Sequence, residues 1–135
     1  MVQSNYWNIE QLPGLSQQQQ DNLKSCGVTT TQQLLAKTKN PDLKQSLASQ
    51  LQLHTQYINK WAALADLARI PSVGCQYCGL LLHSGIASVI QLGQTPVYRI
   101  HRQILRLQVA NLQRQDLCPS VDLVQKWVQE AKTLT

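Results

Sequence analysis

Residues 12–35 read LPGLSQQQQDNLKSCGVTTTQQLL, and residues 70–93 read IPSVGCQYCGLLLHSGIASVIQLG. Both stretches begin with an apolar-Pro-x-apolar pattern, and Gly27 then aligns with Gly85. Further along the chain, INKWAALADLA at 58–68 aligns with VQKWVQEAKTL at 124–134. Agreement over both blocks predicts a tandem duplication within a single domain, 1–135, with one repeat at about 8–68 and the other at about 69–134.

Each repeat carries residues that begin and end helices. Ser16 is a capping residue for a helix through Ser25, and Pro119-Ser120 precedes the last apolar-periodic stretch. Asn40-Pro41 predicts a cap followed by proline at the first helical position, and Thr95-Pro96 predicts the same arrangement in the second repeat. No stretch alternates polar and apolar residues with a period of two. The sequence therefore predicts an all-α fold, two fused repeats in one compact domain of about eight short helices.

Two tryptophans lie at matching positions of the repeats. Trp61 continues an apolar stripe that begins at Ile58, and Trp127 lies between Val124 and Ala131. Tryptophans can stack on nucleic-acid bases. Their position on apolar helix faces favours core packing instead.

The turns at the start of each repeat carry a recognisable pattern. Helix-hairpin-helix units read apolar-x-Gly-apolar-Gly, and their glycines allow a tight turn whose N–H groups reach a phosphate. LPGLS keeps Gly14 but has Ser16 at the second glycine position, whereas IPSVG has Ser72 at the first and keeps Gly74. With the two Lys-Trp helices, the chain resembles a bacterial, more narrowly cyanobacterial, family of domains of unknown function with two helix-hairpin-helix units. The resemblance runs from about residue 9 to residue 134, and it implies a non-enzymatic binding module with no catalytic residues.

The net charge of +5 is concentrated in one segment. No acidic residue lies between Asp66 and Asp116, and that interval holds all five arginines, Arg69, Arg99, Arg102, Arg106 and Arg114. The spacing of Arg99, Arg102 and Arg106 places them on one helix face. Helix-hairpin-helix units most often bind the nucleic-acid backbone, which these arginines would suit. The sequence thus predicts weak, non-sequence-specific binding to a DNA or RNA backbone.

Two other interpretations of the same segment remain open. The turns lack one glycine each and have no basic residue in SQQQQDN or GCQYCGL, so they could serve only in packing. The chain would then be a protein adaptor or assembly factor whose arginines meet an acidic partner. The arginines could also form an ordinary solvated face.

Cys75 and Cys78 form the only cysteine pair with ligand-like spacing. A zinc site normally needs four ligands, and Cys26, Cys118, His83 and His101 show no second paired spacing. A redox pair would be helped by a helix N-terminus near Cys75, but the βαβ surroundings of that motif are missing. We favour Cys78 as a small buried residue, with free thiols, no metal and no cofactor.

Several classes of function are disfavoured. Seven scattered carboxylates, isolated histidines and the absence of a phosphate-cradling glycine loop or a nucleophile elbow argue against an enzyme and against a small-molecule substrate. No apolar run approaches the length of a membrane span, and the first residues do not resemble a signal peptide. We therefore expect a cytoplasmic protein without membrane contact.

Overall fold

The computed structural model describes residues 2–110 and 119–134, with the backbone alone at 108–110. A short 3-10 helix, Ile9–Gln11, precedes the first α-helix. The α-helices are α1 Gln17–Ser25, α2 Thr31–Ala36, α3 Pro41–Leu51, α4 Thr55–Ala68, α5 Gly74–His83, α6 Val89–Gln94, α7 Val97–Ala110 and α8 Val121–Thr133. Across the described ranges there is no β-strand, only two isolated bridge pairs. The predicted all-α fold of about eight short helices is confirmed.

Hydroxyl and amide side chains begin most of these helices. Ser16, Asn40 and Ser120 each accept a hydrogen bond from an N–H of the first helical turn, as predicted. The parallel prediction for Thr95-Pro96 is wrong. Helix α7 begins one residue later, at Val97, and the Thr95 hydroxyl donates instead to the carbonyl of Gln91 at 2.6 Å. Thr95 therefore closes α6 rather than capping α7.

Part of the glutamine excess serves in capping boxes. Gln19 returns a side-chain bond to the N–H of its cap Ser16, and Gln33 does the same for Thr30. In the second half, Gln91 donates its N–H to Ser88 and accepts from the N–H of Ala87. These glutamines satisfy backbone groups that would otherwise face water.

The two Lys-Trp helices lie at the centre of the packing. Helix α4 packs against α2, α3 and α5, whereas α8 packs against α6 and α7. Trp61 and Trp127 are both buried, together with Ile58, Leu64 and Val124 on the same faces. The prediction that these tryptophans pack in the core is confirmed. Burial of large apolar side chains of this kind stabilises a fold by about 1.5–3 kcal/mol each.

The N-terminal segment connects the two halves. The indole N–H of Trp7 donates to the carbonyl of Ala68 at 2.8 Å, and its backbone N–H and C=O both bond to Thr31. In the same N-terminal segment, the N–H of Val2 donates to the carbonyl of Thr133, near the other end of the described chain, at 3.3 Å. No helix in the described ranges is long and apolar enough to span a membrane.

Candidate binding surface

In the first turn, residues 12–16, backbone groups form hydrogen bonds with side chains at the start of α1. Gly14 has a left-handed φ of +83°, which explains the glycine at this position. The N–H of Ser16 donates to Gln19 Oε1 at 2.9 Å, and the N–H of Gln19 donates to Ser16 Oγ at 3.1 Å. A Cβ placed on Gly14 would lie 3.9 Å from Lys60 Nζ, so a cation of α4 stands beside this turn.

In the second turn, residues 70–74, a carboxylate of α8 accepts hydrogen bonds from Ser72. The N–H of Ser72 donates to Glu130 Oε1 at 3.0 Å, and its hydroxyl donates to Glu130 Oε2 at 2.8 Å. The indole N–H of Trp127, one turn earlier on α8, donates to the carbonyl of Ser72 at 3.1 Å. Both polar groups of the Ser72 backbone and its hydroxyl are therefore bound by α8.

The two turns differ both in the third turn residue, Gly14 or Ser72, and in the residue of the Lys-Trp helix that packs against it, Leu64 or Glu130. The first Lys-Trp helix has Leu64 where the second has Glu130. A Cβ on Gly14 would lie 4.0 Å from a methyl group of Leu64, whereas Ser72 is bound by Glu130. The serine in the second turn therefore supplies a hydroxyl donor to the carboxylate that faces it. In the first turn the facing side chain is Leu64, which has no hydrogen-bond acceptor.

The left-handed residue also changes place between the turns. In the first turn it is Gly14, and in the second it is Gly74, with φ +52°. A Cβ on Gly74 would lie 3.2 Å from Trp7 Cζ2, closer than side chains normally approach. Each turn thus keeps only the glycine that its own backbone requires, which accounts for the two incomplete motifs.

Three of the five arginines stand together on α7. Arg99, Arg102 and Arg106 are exposed on the side of the helix away from the buried Ile100 and Ile104. Arg69 ends α4, where it pairs with Asp66 at 2.8 Å with about a quarter of its side chain exposed. Arg114 lies outside the described residues. Among the described residues, the exposed arginines are therefore these three on α7, which we call the arginine row.

An open groove of about 560 Å³ runs beside the arginine row, between α7 and α8. It is lined by Val97, Tyr98, His101, Arg102, Leu105, Val121 and Gln125. Tyr98 is 63% exposed and Val121 is 50% exposed, although both are large and apolar. The Arg102 guanidinium lies over the Tyr98 ring, 5.6 Å from its centroid. We call this feature the α7–α8 groove.

Burial governs the acidity of both thiols of the cysteine pair. Cys78 is fully buried, and burial above all raises its pKa to about 12. Burial also raises the pKa of Cys75 on the first turn of α5, which is opposite to the lowering that a helix N-terminus would cause. Among the described residues no three His, Cys, Asp or Glu side chains form a potential metal site. Cys118 lies outside the described residues.

The histidines serve local structure or line a surface. His54 Nδ1 accepts the N–H of Gln56 at the start of α4, and His83 is exposed at the end of α5. His101 is half-buried and lines the α7–α8 groove.

Residues 13–134 match the family model described as a domain of unknown function, DUF4332. This chain is a member of the DUF4332 family. No curated protein and no solved structure shows a significant match to it. The DUF4332 match covers residues 13–16 of the first turn, the whole second turn and the α7–α8 groove.

Three residues that shape the turns and the groove of this DUF4332 domain were not identified from the sequence: Lys60, Tyr98 and Glu130. Glu130 and Lys60 lie on the Lys-Trp helices, far along the chain from the turns they approach. Aligning the two Lys-Trp helices could have indicated Glu130, because it stands where the first has Leu64, three residues after the matching tryptophan. Tyr98 carries no motif, and its exposure follows only from the packing of α7 on α8.

Proposed function

We propose that this chain is a non-catalytic protein adaptor of the cytoplasm, built from two helix-hairpin-helix units whose turns serve packing rather than phosphate binding. The observation that carries the proposal is the bond pair between Ser72 and Glu130, at 3.0 and 2.8 Å. In a phosphate-binding turn, the N–H groups are directed at the ligand. Here the N–H of Ser72 donates instead to the Glu130 carboxylate of the same chain.

Electrostatics argue against a phosphate at this second turn. An incoming phosphate would have to displace two hydrogen bonds to an ionised acceptor, which are stronger than neutral ones. It would also approach the negative charge of Glu130, and like charges repel most strongly where water is partly excluded. A neutral or cationic protein surface would meet no such penalty.

The α7–α8 groove supports a protein partner as well. Interfaces combine an apolar centre with a charged rim, and Arg and Tyr are enriched among residues that contribute most to binding. The groove presents Tyr98 and Val121 exposed beside the arginine row. An acidic protein surface is the natural complement of that arrangement.

A second candidate function is weak binding to a nucleic-acid backbone. Two observations favour it: Lys60 stands beside the Gly14 turn, and Arg99, Arg102 and Arg106 are exposed in a row. Three or four phosphate contacts would give an affinity that falls with salt by about 0.9 logarithmic units per contact for each tenfold rise in salt.

Fluorescence anisotropy with labelled single- and double-stranded oligonucleotides at low salt separates the two functions. The adaptor proposal expects no binding in the micromolar range. It fails if two results are obtained together: the oligonucleotides bind with micromolar affinity, and the double variant Arg99→Glu, Arg106→Glu abolishes that binding. The matched control is Lys39→Glu with Lys44→Glu, an equal charge change on the α2–α3 side of the chain.

A further inference from the structure

We infer that the α7–α8 groove binds an acidic amphipathic helix of a partner protein. This inference deepens the proposed adaptor function and rests on it, since it takes the partner to be a protein. It adds the surface, the kind of segment bound and the sign of its charge.

The shape of the groove suits the apolar face of a helix. Val97 and Leu105 lie two turns apart along α7, and Val121 faces them from the first turn of α8. Helices that bind in grooves insert residues at i, i+3 or i+4 and i+7, a spacing that covers the same two turns. The volume of about 560 Å³ accommodates several such side chains.

The charge of the groove sets the sign of the partner. Arg102 lines the groove, and Arg99 and Arg106 flank it on the exposed side of α7. Helix α7 contains no carboxylate at all. On α8, the exposed Asp122 is followed one turn later by the exposed Lys126, so that helix adds no net charge near the groove. Carboxylates outside an apolar stripe would therefore meet the arginine row.

Two other occupants fit less well. A nucleic-acid base would stack on Tyr98, and Arg102 already lies over one face of that ring. Aliphatic side chains such as Leu105 and Val121 also offer nothing to a sugar or a phosphate. A second copy of this chain meeting the same face by two-fold symmetry would set arginine row against arginine row, which is unfavourable.

The test is a titration of the isotope-labelled full chain with three synthetic 16-residue peptides, followed by amide NMR signals. The first peptide has Leu at i, i+3, i+4 and i+7 and Glu at exposed positions. The second has Lys in place of Glu, and the third has Gln in place of Leu. We expect only the first to bind, and to shift signals of residues 97–105 and 121–125.

Two variants locate the binding. Val121→Glu places a negative charge in the groove at a helix N-terminus, where the fold tolerates it, and should weaken binding at least tenfold. Ile90→Glu makes the same change at an apolar residue of α6 that is 72% exposed and outside the groove lining, and should alter binding less than twofold. Equal effects of the two variants, or shifts centred elsewhere, would overturn the inference.

The remaining outcomes are equally decisive. Binding of the Gln peptide as tightly as the Leu peptide would reduce the site to charge alone and refute a helix groove. Competition by an oligonucleotide at the same signals would assign the groove to nucleic acid, and concentration-dependent shifts without peptide would assign it to a second copy. Both results would refute the inference.

A photo-crosslinking amino acid separates this inference from the adaptor function. It is placed in cells at Gln125 in the groove or at the exposed Gln45 on α3. Protein crosslinks at Gln45 alone would leave the adaptor function standing and refute the groove. Nucleic-acid crosslinks with no protein crosslinks would refute both.

Discussion

The carboxylate of Glu130 holds Ser72 by two hydrogen bonds, one to its backbone N–H at 3.0 Å and one to its hydroxyl at 2.8 Å. This contact joins the turn before α5 to the C-terminal half of α8. Because the N–H of Ser72 already donates to Glu130, it is not available to a ligand. The contact makes the second turn part of the structural framework.

Removal of this carboxylate should destabilise the protein. Glu130→Ala leaves the partly buried N–H and hydroxyl of Ser72 without an acceptor, so the free energy of unfolding should fall by about 1–3 kcal/mol. Urea denaturation followed by circular dichroism measures the change. The matched control is Glu10→Ala. The Glu10 side chain is 55% exposed, and its ion pair to Lys24 Nζ, at 3.5 Å, lies at the surface. That control should change stability by less than about 0.5 kcal/mol.

A double substitution that copies the first turn tests why serine is present. Ser72→Gly and Glu130→Leu together recreate the Gly14–Leu64 pair. The two single variants should each destabilise, and the double variant should lose about 1 kcal/mol less than the sum of the two, since neither polar group is then left alone. Additive losses in a denaturation cycle would show that the residues at 72 and 130 act independently.

Substitution of Gly74 should be costly for two reasons. Its φ of +52° disfavours any side chain, and a new Cβ would lie 3.2 Å from the Trp7 ring. Gly74→Ala should lower the free energy of unfolding by about 1–3 kcal/mol, which combines left-handed strain with displacement of Trp7. Trp7 fluorescence should also change in the native state.

Gly79→Ala is the control for Gly74. Gly79 lies inside α5, and a new Cβ there would meet only Pro13 at 3.7 Å, an ordinary contact. Alanine favours the helix by up to about 1 kcal/mol over glycine, so this variant should be as stable as the original or more stable. A loss as large as that of Gly74→Ala would contradict the argument.

The thiol of Cys78 should resist alkylation in the native protein. With its pKa raised to about 12 by burial, almost none is thiolate at pH 8, and iodoacetamide should label it only after unfolding in urea. Mass spectrometry of timed reactions gives the rates. Rapid native labelling at this residue would contradict its burial.

The Cys78 thiol should also make the free energy of unfolding decrease at high pH. The native state keeps the Cys78 proton when the unfolded chain, with a thiol pKa near 9.0, has released it. Fewer protons are then bound in the unfolded state, so stability should fall as pH rises from about 9 towards 12. In Cys78→Ala the decline over this interval should be smaller, as measured by urea denaturation at a series of pH values.

The local features of the fold could be predicted from the sequence because they depend on neighbouring residues. The caps at Ser16 and Asn40 and the buried faces around Trp61 and Trp127 follow from spacing of three or four residues. Thr95 breaks the pattern because its hydroxyl has a competing acceptor, the Gln91 carbonyl four residues earlier.

The site depends on contacts that spacing does not encode. Ser72 meets Glu130, and Gly14 approaches Lys60, only when each Lys-Trp helix folds back against its turn. The sequence groups Arg69 with the other arginines, whereas the structure pairs it with Asp66 at 2.8 Å. Residues three apart on a helix are neighbours, so their spacing could have indicated this pair.

The bond between Val2 and Thr133 brings the two ends of the described chain to one place. A short linker from residue 134 back to residue 2 would therefore close this segment into a ring, and a cut between α4 and α5 would give a circular permutant in which α5–α8 precede α1–α4. The contacts that hold the two halves together would be the same in either order.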